Sequence, residues 1–412
     1  MPRHRGSRPL LAMLVGVVAA CNDAPPTSPS EGPALPPAEL PAPAGVLGGP
    51  LPLLSPAQQA RFVVGRGVFA TVFTPETGLG PLFNADGCGS CHENPVLGGA
   101  GSNDPAEEGE DVEVHATAFN GAVCRDLAAT GGPVIQKQVT AALHDSLGID
   151  AEPIPVEATD SAHRTTPDVF GFGLLDAVPD AEILAFADPL DRNGDGISGR
   201  PNRTADGRLG RFGRKAQVAR LRDFNTDAFV MEMGVTNPGN QTEQTVGGEP
   251  LPPGVDPTAD PEIGQDAFDA ADAFVRFLAP PPPQPLDFAA QAGALTFLQI
   301  GCASCHVPVL VTGPSPVRAL SLRVVAAYTD LLLHDMGPDL ADICLGEAQP
   351  SEFRTEPLMG LRLGTAFLHD GRASTIAQAI ELHGGEATAS RDRFLRLSPL
   401  ARAALLRFLN RI

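Results

Sequence analysis

Apolar residues recur at helical spacing in four stretches of this chain. Ser55-Pro56-Ala57-Gln58 predicts a helix start, with serine as N-cap, proline in the first turn and Gln58 completing a capping box. Asp287 to Ile300 follows the same plan and ends in Gln299-Ile300-Gly301. Ser374 or Thr375 caps a third helix through Ile376, Ala379, Ile380 and His383, and the spacing of Ile376, Ile380 and His383 places the imidazole on its apolar face. Ser398 and Pro399 open the last, which gathers Leu405, Phe408, Leu409 and Ile412 on one side. Strand-like alternation is sparse. The predicted class is mainly α, with long loops.

Two proline-rich breaks divide this pattern. Residues 21–54 predict an extended tether, and Pro280-Pro281-Pro282-Pro283-Gln284-Pro285 separates 55–279 from 286–412. The two halves echo each other. Arg164-Thr165-Thr166-Pro167 returns as Arg354-Thr355-Glu356-Pro357, and Phe274-Val275-Arg276-Phe277-Leu278 as Leu405-Leu406-Arg407-Phe408-Leu409. Each half also holds one C-x-x-C-H motif, at Cys88, Cys91 and His92 and at Cys302, Cys305 and His306.

That motif is the covalent attachment signature of c-type haem, in which the thiolates add to the vinyl groups and the histidine reaches the iron. The architecture is therefore two cytochrome c-like haem modules carrying two covalently bound haem c. Structural zinc would need the two C-x-x-C pairs to share one ion, and dithiol redox chemistry would need the motif at a helix start after a strand. Neither pattern fits here.

Charge and the N-terminus place the chain. Hydrophobic residues make up 43% and charged residues 19%, which suits globular modules. The formal charge is −20, a balance that repels nucleic acid and favours basic or dipolar protein partners. Residues 1–20 read as an export signal, with Arg3, His4, Arg5 and Arg8 before an apolar run from Leu10 to Ala20 too short to span a bilayer. Val18-Ala19-Ala20-Cys21 resembles a lipobox, which would make Cys21 a lipidated N-terminus on the periplasmic side of a bacterial membrane, the outer membrane for preference. Contact with the membrane is then through the lipid alone. An ordinary signal peptide with an incidental cysteine is the plainer alternative. Cys124 and Cys344 remain, either as a disulfide in that oxidising compartment or as two separate buried thiols.

The sixth ligand of each iron decides its role. His383 and Met336 stand out as metal ligands beside His92 and His306; His115, His144, His163, His334, His369, Met231 and Met233 are the other candidates. Asp191, Asn193 and Asp195, followed by Gly196, have the D-x-N-x-D-G spacing of a calcium loop. Position twelve is Asn202 rather than a bidentate Glu, so an Asx-rich turn is equally open. Asp104 to Glu113 predicts a solvated acidic loop. There is no Trp and one tyrosine, Tyr328, which excludes a hopping route built from several such residues.

With these residues laid out, roughly residues 60–412 resemble the bacterial di-haem oxidoreductases, relatives of the di-haem cytochrome c peroxidases that are also labelled thiol oxidoreductases. The resemblance rests on the two haem motifs, Gly80-Pro81-Leu82-Phe83-Asn84, Phe172-Gly173-Leu174-Leu175-Asp176 and Gly210-Arg211-Phe212-Gly213-Arg214-Lys215-Ala216. Asp195 to Arg200, Tyr328 to Gly337, Leu368-His369-Asp370-Gly371-Arg372 and His383-Gly384-Gly385-Glu386 extend it. It implies a peroxidase-like oxidoreductase taking electrons from a small cytochrome or cupredoxin and passing them to peroxide or another small oxidant. A di-haem electron-transfer cytochrome without its own substrate is the alternative. The relatives carry a methionine ligand on the helix after H-D-G; this chain offers His383, fourteen positions after His369. Glu232 is the candidate acid/base, and Arg372 a candidate for stabilising negative charge or binding a haem propionate.

Overall fold

The computed structural model describes residues 45–101 and 112–412. The signal, Cys21 and the tether up to residue 44 lie outside the described residues. Eleven α-helices occur among the described residues. The helices that matter for the sites are α1 (Pro56–Phe69), α2 (Leu221–Met233), α3 (Gln265–Phe277), α4 (Phe288–Gln299), α5 (Ile376–Leu382) and α6 (Pro399–Leu409). None of the described helices is long and apolar enough to cross a membrane.

Each half is built on one pair of crossing helices, α1 on α3 and α4 on α6. The predicted caps form: Gln58 N–H donates to Ser55 Oγ at 3.3 Å while Ser55 N–H donates to Gln58 Oε1 at 2.8 Å. Asp287 caps α4 by accepting Ala290 N–H, and Ser398 caps α6 by accepting Ala401 N–H. The crossings are equivalent at atomic detail. A Cβ on Gly65 would sit 1.8 Å from the Ala270 carbonyl oxygen, and one on Gly293 would sit 2.0 Å from that of Ala404. Four residues after each carbonyl comes a phenylalanine that fills the crossing. Phe274 meets Phe62 and Phe69 at ring separations of 5.1 and 4.9 Å, and Phe408 meets Phe297 and Tyr328 at 5.6 and 6.0 Å. The sequence echo is thus a repeated helix crossing.

A small sheet accompanies the helices of the predicted mainly α plan. β1 (Val112–Phe119) pairs antiparallel with β2 (Cys124–Arg125), β3 (Val134–Ile135) and β4 (Asp160–Thr165). His115, Ala116, Thr117 and Ala118 are all buried, so consecutive positions of β1 are covered on both faces. Val112-Glu113-Val114-His115-Ala116-Thr117-Ala118 does alternate apolar and polar residues, the pattern of a half-buried strand, but here the polar positions His115 and Thr117 are covered too. In the second half β5 (Leu333–Asp335) pairs with β6 (Glu352–Arg354).

The two halves share interior. The largest apolar cluster draws on Leu51, Phe62, Phe170 and Phe274 from before the proline break and on Leu310, Leu331 and Met359 from after it. Leu51 and Leu54, which composition assigns to the tether, are buried in this core, and Leu51 N–H donates to the Phe277 carbonyl. Buried charge closes the seam. Arg164 donates through Nε and Nη2 to Asp342 at 2.9 and 2.7 Å, and Lys215 Nζ lies 2.7 Å from the other Asp342 oxygen. Two residues on, Cys344 is joined to Cys124 in a disulfide with a Cα–Cα distance of 5.8 Å, so the paired alternative holds.

Candidate haem sites

Cys88–Cys91 forms a single helical turn, and His92 N–H closes it on the Cys88 carbonyl at 2.9 Å. The His92 ring lies against Phe69 at 5.9 Å, and its Nδ1 donates to the Gly99 carbonyl at 3.2 Å, with the Pro167 carbonyl also against the ring. Burial lowers the pKa of His92, which favours the neutral ring a metal requires. The Cys88 thiol is pushed up to about 12, chiefly by burial. These three residues line a cavity of about 840 Å³, part of it open to solvent. Phe172, Leu221, Phe224 and Phe229 give it apolar walls, as a porphyrin face requires.

Two acids stand in that cavity, Glu232 and Glu113. Glu232, near the end of α2, accepts from Asn84 Nδ2 at 2.8 Å. Burial, then the neighbouring Glu113 charge, pushes its carboxyl up to about 8. Glu113 begins with the same burial but is held low by its 2.8 Å contact with His115 Nε2, next by that ring's charge and by Arg164. One acid is kept protonated and the other ionised in one cavity. Glu113 belongs to the run expected to be a solvated loop; β1 carries it inside instead. Met233 also lines the cavity and packs with Phe73, Leu79 and Phe229, whereas the Met231 carbonyl accepts from Gln136 Nε2.

The second motif lies on a 3₁₀ turn, Cys302–Ser304, after α4. His306 Nδ1 donates to the Tyr328 carbonyl at 3.0 Å, and burial, then the neighbouring His383, pushes its pKa down to about 4. Thr375, not Ser374, caps α5, which ends one residue before His383. His383 is therefore the helix C-cap rather than a face residue. Its Nδ1 donates to the Ala379 carbonyl at 2.7 Å, so both imidazoles are tied through Nδ1 and offer Nε2. Met336 follows β5, and its carbonyl packs against Gly384 beside His383. His334 is enclosed by Asp330 and Glu386, 3.6 Å from Cys305 Sγ. Burial opposes its charge, but these partners hold its pKa up to about 12.

The remaining predicted residues lie elsewhere. Arg372 is half-exposed and donates to Asp370 and to the Asp339 carbonyl; it is not among the residues lining the first cavity. Asp191, Asn193 and Asp195 form an exposed loop in which Gly196 N–H donates to the Asp191 carboxylate and Asp195 N–H to Asn193 Oδ1. His369 stacks on Phe353 at 4.4 Å, and His144 is exposed, donating to the Ile149 carbonyl.

Both motifs fit a covalently held haem: each joins two cysteines outside the disulfide to a histidine tied at Nδ1. Residues 157–412 match the family model described as "Di-haem oxidoreductase, putative peroxidase". That span holds the second C-x-x-C-H motif and not the first. No curated protein matches this chain. Among solved structures, Kuenenia stuttgartiensis hydrazine synthase pressurised with 20 bar xenon aligns over 94% of this chain and 100% of its own, at 14% identity and a TM-score of 0.38. A MauG-like protein associated with microbial copper homeostasis aligns over 92% of this chain and 94% of its own, at 15% identity and a TM-score of 0.38.

Proposed function

The chain belongs to the di-haem oxidoreductase family, and on that premise we propose that it is a c-type di-haem peroxidase drawing electrons from a small redox protein. The observation that carries this reading is the first cavity, where a C-x-x-C-H motif shares its walls with one protonated and one ionised acid. The haems would supply one-electron redox chemistry and, at the first site, an iron to which peroxide binds. Cys88 and Cys91, and Cys302 and Cys305, would hold them by thioethers, with His92 and His306 to ligate the irons and His383 as the further ligand at the C-terminal site. Glu113, ionised, takes the proton of incoming peroxide; Glu232, protonated, gives one to the departing oxygen. Two electrons and two protons then reduce one peroxide to two waters. Lipidation at Cys21 would tether this chemistry to the periplasmic side of a bacterial membrane, and the Asp191–Asp195 loop is a calcium candidate on the same terms.

Met233 in the cavity lining supports the second reading, a carrier with both irons six-coordinate. Spectra of oxidised and half-reduced protein separate the two. A high-spin haem together with peroxide-dependent oxidation of a reduced small cytochrome supports the enzyme. Two low-spin haems inert to peroxide overturn it, and fewer than two haems per chain in a pyridine haemochrome assay overturn both.

A further inference from the structure

Beside the second haem motif lies a charged cluster that neither attachment nor iron ligation uses. His334, on β5, is 3% exposed. Its Nε2 is 2.9 Å from Asp330 Oδ2 and its Nδ1 is 2.7 Å from Glu386 Oε2. Both ring nitrogens thus face carboxylate oxygens, which accept and cannot donate when ionised. With both carboxylates ionised, each ring nitrogen donates and the ring is an imidazolium. The same Nδ1 lies 3.6 Å from Cys305 Sγ, the sulfur that becomes a thioether.

The two carboxylates are held independently of the histidine. Asp330 Oδ1 accepts Leu332 N–H at 3.0 Å. Glu386 accepts Ser198 Oγ–H at 2.5 Å, Ser198 N–H at 3.0 Å and Asp335 N–H at 3.3 Å. Glu386 is three residues beyond His383. One buried cation and two anions are thereby fixed at the attachment sulfur and tied to the segment that carries the second ligand.

We propose that Asp330, His334 and Glu386 are positioning residues whose fixed charges set the reduction potential of the second haem. This rests on the reading of Cys302, Cys305 and His306 as a haem site. In a buried setting, where charges are weakly screened, the imidazolium favours the reduced iron and each carboxylate favours the oxidised iron. Burying the three together leaves one net negative charge, so removing the cation and removing an anion act with opposite sign. A role in folding alone has no such sign.

The experiment is spectroelectrochemical titration of the purified two-haem protein and its variants at constant pH and salt. His334→Gln lowers the second haem's midpoint and Glu386→Gln raises it. Each shifts the oxidised-to-reduced ratio at fixed applied potential about tenfold, which is about 59 mV for one electron. Unmoved midpoints, or shifts of the same sign, overturn the proposal. Should His334→Gln fail to retain haem, Glu386→Gln and Asp330→Asn decide, since both must raise the midpoint. Opposite shifts in a protein inert to peroxide would leave the tuning role standing while overturning the peroxidase; a chain with no second haem would overturn the haem reading itself.

Discussion

Glu232 is kept protonated because burial and the adjacent Glu113 charge push its carboxyl up to about 8. A general acid acts in its protonated form, so peroxide turnover should fall as pH rises past about 8. Glu232→Gln keeps the hydrogen bond from Asn84 but has no proton to give, and should lower turnover by about 10²- to 10⁴-fold with both haems retained. Stopped-flow oxidation of a reduced small cytochrome reads both effects. The sign for stability follows from linkage: an acid whose folded pKa lies above its unfolded value binds more protons when folded, so the native protein loses stability as pH climbs from about 4.5 through 8. Glu232→Gln should lack that contribution to the loss, which denaturant titrations at pH 5 and 9 would reveal. His383 makes a separate prediction: His383→Ala should turn a six-coordinate, low-spin second haem into a high-spin one, seen directly in the ferric spectrum. An unchanged spectrum would assign the ligand elsewhere. At this scale the sequence names both His383 and Glu232, but it expects His383 on a helix face where the structure makes it the C-cap of α5, and it puts Glu232 in Met231-Glu232-Met233-Gly234 without showing the cavity around it. Glu113 was hidden because its neighbours in sequence are acidic, and only strand pairing shows that it turns inward.

The helices were legible because their caps are local chemistry. Ser55, Asp287, Thr375 and Ser398 each satisfy a first-turn N–H, and each announces itself within four residues. β1 carries a short alternation from Val112 to Ala118, but its polar positions are buried as well and its partners lie up to about fifty residues away along the chain, so nothing local says what it pairs with. The helix crossings offer the sharpest test at the level of elements. With a Cβ on Gly65 or Gly293 falling within 2.0 Å of a carbonyl oxygen, neither crossing can accept alanine without the helices separating. Overpacking of this kind costs about 1–3 kcal/mol, and a backbone neighbour yields less readily than a side chain. Gly65→Ala and Gly293→Ala should lower stability by similar amounts in thermal melts. Haem loss should fall on the first module for Gly65→Ala and on the second for Gly293→Ala. Equal loss of both haems in either variant would show that the halves do not hold their haems separately.

Across the whole molecule the proline break divides the sequence but not the core, since Met359 and Leu331 pack in one cluster with Phe62 and Phe274. Composition could mark Pro280–Pro285 as a boundary; it could not show that buried charge and a disulfide cross it. The disulfide closes a loop of 220 residues, and the chain-entropy account assigns such a link about 5 kcal/mol. Two residues away Asp342 works by another mechanism. Arg164 and Lys215 are 3% and 0% exposed and both turn to this one carboxylate, which is itself 4% exposed. Asp342→Asn would leave the buried Arg164 guanidinium facing a neutral amide and remove the charge that supports Lys215, whose pKa burial already pushes down to about 7; breaking a buried ion pair from one side costs about 3–5 kcal/mol. Because residues 342 and 344 share one loop, its loss and that of the disulfide should not add. Urea titrations of Asp342→Asn, of Cys124→Ser with Cys344→Ser, and of all three together measure that coupling. A triple variant destabilised by less than the sum means the seam is a single cooperative lock; strict additivity would make the ion cluster and the disulfide independent fastenings.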